Sequence, residues 1–282
     1  MDQYREVFER PRTPEQISNA LRRGELVDDQ DFDAYLPQLL RFASQQFWTP
    51  IPVATLVAGW LAEADARRVL DVGSGCGKLC IIAALVSDLS FLGLEQRPHL
   101  VRVARKLASR FAIEHQVTFR HGTLNDVHFE EFDALYFYNS FAENVFTDDE
   151  HLDTTVSLSV ERFHDDILRM EAILTRMPLG SRVVTYHGFG GLIPDSYDLT
   201  RSARTRTGTL RMWTKSRMEN SNQYWLENEG ITYFRHGHAD DELWQVKAPN
   251  VVATRTPKEL VRDDGGVLAE KVELLSDSDD AR

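Results

Sequence analysis

The sequence predicts an α/β fold: a doubly wound, mostly parallel seven-stranded sheet with an antiparallel edge hairpin and a helical N-terminal extension. Three observations predict it. Strand-like apolar runs alternate with helix-length segments between residues 67 and 186, the pattern of right-handed βαβ crossovers. The first run, Val69-Leu70-Asp71-Val72, breaks into Gly73-Ser74-Gly75-Cys76-Gly77 and continues as apolar Leu79–Leu85, a strand, glycine turn and helix. Finally, Tyr197–Arg204 and Thr209–Lys215 are strand-like and joined by Thr205-Arg206-Thr207-Gly208, so the sheet closes with a hairpin.

The elements follow in order. Thr13-Pro14-Glu15-Gln16 is a helix start, with Thr as cap, Pro in the first turn and Gln closing a capping box. A second helix after Asp31 carries Phe32, Tyr35, Leu36, Leu39, Leu40 and Ala43 on one stripe, with Pro37 in its first turns. Phe47-Trp48-Thr49-Pro50-Ile51-Pro52 is a rigid turn, either a loop over the core or a lid over a ligand. A helix over 53–64 leads to strand 67–72. Strands 91–95, 117–121, 132–138 and 181–186 follow, separated by helices 98–111 and 156–177. Beyond Lys215 the pattern fades: a short helix is expected over 220–230, short strands at 231–236 and 243–246, and no sustained period over 248–275. The domains are therefore an N-terminal extension and lid (1–64), the α/β domain (65–216), a C-terminal extension (217–275) and a disordered acidic tail (276–282).

Bulk properties exclude some functions. The 282 residues carry a net charge of −12, which repels phosphate backbones, so a nucleic-acid partner is not expected. A small molecule or a protein is the expected substrate, and oligomeric state has no signature. The longest apolar run, around 79–94, is interrupted by Ser87, Asp88 and Ser90, so no membrane span is expected. The N-terminal residues lack a signal-peptide core. The two cysteines, Cys76 and Cys80, are read as small buried residues in a reducing cytoplasm. His236-Gly237-His238 has no partner pair in sequence, and no metal site is expected.

The glycine turn points to a cofactor. Gly73, Gly75 and Gly77 let a ligand approach the backbone. A dinucleotide fold requires a glycine where Lys78 stands. Asp71, two residues before the first glycine, suits a ligand bearing an ammonium or sulfonium group. Together these favour S-adenosyl-L-methionine over a nicotinamide dinucleotide. Glu95, ending its strand, can accept hydrogen bonds from both ribose hydroxyls. Thr123 and Leu124 follow the third strand and are placed to border the adenine, and Thr49 of the lid is a further cofactor candidate.

The run from Val69 to Lys78 resembles motif I of the class I S-adenosylmethionine-dependent methyltransferases, and Glu95 resembles their ribose-binding acid. The resemblance spans roughly residues 45–215 and implies their Rossmann-like methyltransferase fold and methyl transfer to an unidentified acceptor. More narrowly, Phe137-Tyr138-Asn139-Ser140-Phe141-Ala142 resembles the catalytic strand end of the non-SET histone-lysine methyltransferases of the disruptor-of-telomeric-silencing type. That resemblance implies that Asn139 binds near the methyl group and orients the nucleophile. Acceptor-side candidates are therefore Asn139, Glu143, which binds an amine or caps the next helix, and His187, a general base or a structural imidazole. The alternative reading is a catalytically silent cofactor-binding scaffold that holds a partner through residues 217–282.

Overall fold

The computed structural model describes residues 11–218 and, beyond them, the backbone of four strands at 224–228, 231–235, 244–248 and 251–255. His236–Asp240 and the acidic tail lie outside the described residues. Four helices lead the chain: α1 (Pro14–Arg22), α2 (Asp29–Asp33), α3 (Gln38–Phe47) and α4 (Ile51–Glu63). The alternating part follows as β1 (Arg68–Val72), α5 (Lys78–Leu85), β2 (Ser90–Glu95), α6 (Pro98–Arg110), β3 (Val117–His121), β4 (Ala134–Tyr138), α7 (Val160–Arg176) and β5 (Arg182–Tyr186). It closes with β6 (Leu192–Pro194), β7 (Tyr197–Arg204) and β8 (Thr209–Lys215).

The main sheet has seven strands in the order β3-β2-β1-β4-β5-β8-β7. Neighbours are parallel from β3 to β5 and antiparallel from β5 through β8 to β7. Strand order reverses between β1 and β4, and such a switch point opens a crevice at the carboxyl ends of the strands. Both faces of the central strands β1, β4 and β5 are buried, which explains why these strands read as nearly continuous apolar runs. Val69, Tyr136 and Val184 pack toward α4, α5 and α6. Leu70, Val72, Leu135 and Phe137 pack toward α7 through Phe163, Met170 and Leu174.

Several boundaries differ from the sequence expectation. The single helix expected after Asp31 is two, because Pro37 lacks an N–H and disfavours helical backbone at Leu36; α3 restarts after it. The restart turns Leu39 out of the expected stripe and leaves it exposed. The turn at 47–52 shrinks to Trp48–Pro50, since Ile51 and Pro52 already belong to α4. The helix expected from 156 begins at Val160, where the Ser159 hydroxyl accepts from the Arg162 N–H at 3.2 Å. Residues 192–194, to which the sequence pattern assigns no element, form β6. Residues 224–228, expected as helix, form a strand (β9) between β6 and the strand at 231–235 (β10). Strands at 244–248 (β11) and 251–255 (β12) complete a second sheet of order β12-β11-β10-β9-β6. Among these strands the β6–β9 pairing is long-range, while β9 to β12 pair with their neighbours in sequence.

Gly77, at φ +80°, lies where α5 leaves the turn, and a β-carbon there would sit 2.4 Å from the Phe119 ring. Gly77→Ala is therefore expected to lower stability by roughly 1–3 kcal/mol through left-handed strain and overpacking. Urea unfolding measures it, and an unchanged midpoint would contradict this account of the turn.

Candidate functional site

The carboxyl ends of β1, β2 and β4 open into a cleft lined by Gly73, Gly75, Glu95 and Asn139. Its floor is the glycine turn, pinned to β2 because the Gly73 and Ser74 N–H groups both donate to the Leu94 carbonyl at 2.9 Å. Glu95 comes next. One carboxylate oxygen accepts from the Gly75 N–H at 2.9 Å and the other from the Arg97 N–H at 2.8 Å. Burial pushes its pKa up while the two N–H groups pull against that shift. Each carboxylate oxygen offers two lone pairs, so Glu95 can still accept two hydroxyls.

Gly75 has φ +54°, and a β-carbon on it would lie 2.2 Å from the Trp48 ring. The indole is thus seated on the turn, with its Nε1 donating to the Leu40 carbonyl at 3.1 Å. With Gln46 and Phe47 it forms the N-terminal wall of the cleft. Opposite stand Thr123 and Leu124. The Thr123 N–H and hydroxyl both donate to Asp126, which closes the loop into a 3-10 turn. At the end of β4, Asn139 lines the cleft with Ser140 and Phe141. Its backbone is left-handed at φ +48°, held by its N–H donating to the Gly188 carbonyl at 3.0 Å.

The structure therefore brings Gly73, Gly75, Glu95, Thr123, Leu124, Asn139 and Glu143 to one cleft. It does not place the other sequence candidates there. The Thr49 hydroxyl is buried and hydrogen-bonded to the Tyr136 hydroxyl at 2.9 Å. Asp71 faces α5, where the Cys80 thiol donates to it at 3.3 Å; Thr49 and Asp71 line a smaller recess beside the turn. Gly77 is packed against Phe119. The His187 ring stacks edge-on against Tyr186, with centroids 4.5 Å apart, and lies against Gly208 of the hairpin. Burial lowers its pKa. The Glu143 carboxylate lines the cleft but is engaged: Arg97 donates to both oxygens at 2.8 and 2.9 Å, and the Leu152 N–H donates at 2.7 Å. An amine-binding or acid–base role would require those contacts to break.

Sequence reasoning missed Arg97, whose guanidinium joins Glu143 to Asp153. It also missed Arg162 and Asp166 of α7, which line the far end. The partners of Arg97 lie 46 and 56 positions away, so no local spacing announced it, whereas Arg162 and Asp166 pair with each other at i, i+4, a spacing visible in the sequence. Burial pushes the Cys76 thiol up to about 12 and Cys80 well above its ordinary value, consistent with unreactive packing cysteines. Among the described residues no cluster of His, Cys, Asp and Glu can hold a metal, and no helix is long and apolar enough to cross a membrane.

Residues 63–165, which contain the turn, Glu95, the Thr123 loop and the Asn139 strand end, match the family model described as a methyltransferase domain. That match covers 103 of the chain's 282 residues. The chain's fold is a Rossmann-like one, with the reversed order at β1/β4 and the antiparallel β8-β7 edge. Among solved structures, the chain is similar to an RNA methyltransferase from Salinibacter ruber in complex with S-adenosyl-L-homocysteine, at 22% identity over 61% of this chain and 97% of that one, with a TM-score of 0.45. It is also similar to an O-methyltransferase from Bacillus cereus, at 13% identity over 71% and 97% with a TM-score of 0.48. A third is the O-methyltransferase TomG from Streptomyces achromogenes, at 14% over 64% and 91% with a TM-score of 0.45. No curated protein matches the chain.

Desolvation, opposed by the Cys80 hydrogen bond, pushes the Asp71 pKa up to about 7. In the unfolded chain the ordinary value is about 3.9. Between those values the folded chain retains a proton that the unfolded chain releases, so stability falls as pH rises from about 4 to about 7. Asp71→Asn is expected to flatten that part of a melting-temperature profile; profiles that run parallel would contradict a sealed carboxyl.

Proposed function

We propose that the chain binds S-adenosyl-L-methionine in the cleft and transfers its methyl group to a protein side chain or a small molecule. The observation that carries the proposal is the buried Glu95 carboxylate beside the Gly75 N–H, inside the methyltransferase domain. A carboxylate held there by backbone groups, with lone pairs to spare, fits a ribose diol. The Gly75 backbone, bare of a β-carbon beneath Trp48, fits a ligand chain laid along the turn. Leu124 covers one face of the base. Asp71, behind the turn and hydrogen-bonded to Cys80, supports the turn and is not assigned a contact with the ligand.

The donor supplies a methyl group already activated on a sulfonium, so this chain's residues chiefly orient and desolvate the reactants, an effect worth about 7–11 kcal/mol at most. Asn139 closes β4 at the switch point, and its strained backbone aims the strand end into the cleft. It orients the acceptor's lone pair. Tyr138, whose burial raises its pKa to about 12, stays neutral beside it and excludes water. Glu143 holds Arg97 and the Leu152 loop in place. His187 braces Tyr138 and Tyr186 from the hairpin side. A protein side chain as acceptor draws on the resemblance of residues 137–142 to the non-SET histone-lysine methyltransferases. The net charge of −12 argues for an acceptor away from nucleic acid.

Isothermal titration with S-adenosyl-L-methionine and S-adenosyl-L-homocysteine is expected to give one site for each. Glu95→Gln should weaken both by about 1.5–3 kcal/mol, the value of hydrogen bonds to a charged group. Folded protein that binds neither ligand would overturn the proposal, and unchanged affinity in the variant would remove Glu95 from the site.

A further inference from the structure

Lys78 is the first residue of α5 and only 2% exposed. A cation at a helix N-terminus faces the positive end of the dipole, and a buried ammonium is costly unless paired. Its Nζ meets Asp29 at 2.7 Å, Asp33 at 2.9 Å and the Ser44 hydroxyl at 3.2 Å. All three partners belong to the N-terminal helices, and none belongs to the sheet.

The placement of those partners gives the cluster its consequence. Ser44 is in the last turn of α3, four residues before Trp48. Asp29 also accepts the Ile51 N–H at 2.9 Å, at the first residue of α4. The short segment that walls the cleft, Gln46 to Pro50, is therefore held on both flanks by groups bound to one ammonium. That ammonium is carried by the helix that springs from the glycine turn itself. Trp48, between the flanks, is seated on Gly75.

We infer that Lys78 is a positioning residue for the cofactor cleft: it latches α2, α3 and the start of α4 to the glycine turn and thereby fixes Trp48 as the wall against which the ligand lies. The inference rests on the proposed cofactor reading and adds a determinant of affinity that does not touch the ligand. It also gives a reason for a lysine where a dinucleotide site would carry glycine. The N-terminal helices are part of the binding site, joined to it by a buried ion cluster.

The test uses the full chain labelled with 5-fluorotryptophan, the Trp48 resonance being assigned from Trp48→Phe. Lys78→Met, which keeps the length and loses the charge, is expected to weaken S-adenosyl-L-homocysteine binding about tenfold, within the range of coupling between separated sites, and to move the Trp48 fluorine resonance. Ser44→Ala and Asp29→Asn each release one flank and are expected to weaken binding about threefold, the scale of one hydrogen bond, with smaller shifts of the same resonance. Should Lys78→Met fail to fold, these two variants decide the matter. A folded variant with wild-type affinity and an unmoved Trp48 resonance would overturn the inference. Wild-type protein that binds no S-adenosyl-L-homocysteine would overturn the cofactor reading alone, since the fluorine shifts would still report on the latch.

Discussion

Glu95 ends β2 with both carboxylate oxygens bound to backbone N–H groups, one from the glycine turn and one from the residue before α6. The arrangement of the cleft depends on that bridge. Three N–H groups of the turn, from Gly73, Ser74 and Gly75, are committed to the end of β2, so the turn cannot lift without breaking several hydrogen bonds at once. A buried carboxylate needs such partners, and here the partners are the backbone that a ligand must approach. Fixing the acid and shaping the turn are one event.

The two walls of the cleft solve the same electrostatic problem with opposite signs. On one side the buried Arg97 guanidinium is neutralised by Glu143 and Asp153. On the other the buried Lys78 ammonium is neutralised by Asp29 and Asp33. Each buried cation ties a segment remote in sequence to the carboxyl end of the sheet: the loop after β4 in the first case, the N-terminal helices in the second. Such clusters add little net stability over apolar packing, but their geometry is specific and an unpaired member is costly. They set where the walls stand more than how firmly the chain folds.

The parts of the fold visible in the sequence were those set by local rules. Apolar runs broken by turns located β1 to β5, Thr13 and Gln16 located α1, and the glycines located the turn. The place of Glu95 at the cleft was legible because it ends the strand beside the glycine turn. What remained hidden depended on contacts distant in sequence. Lys78 looked like a missing glycine because its partners lie 34 to 49 positions away. Thr49 and Asp71 were legible as polar groups near the turn, but their side chains point toward Tyr136 and Cys80, a choice set by packing. His187 ends its strand as expected, yet its left-handed backbone at φ +61° and the hairpin at Gly208 direct its ring away from the cleft. The strand at 224–228 read as helix because its pairing with β6 and β10 carries no local period.

The central claim is that a ribose sits on Glu95 and a methyl donor lies along the turn beneath Trp48. A crystal structure with S-adenosyl-L-homocysteine tests it most directly. The account predicts both ribose hydroxyls within hydrogen-bonding distance of the Glu95 carboxylate, the sulfur between Gly73 and Asn139, and the adenine beside Leu124. A ligand seated elsewhere, with Glu95 still bound only to Gly75 and Arg97, would contradict it.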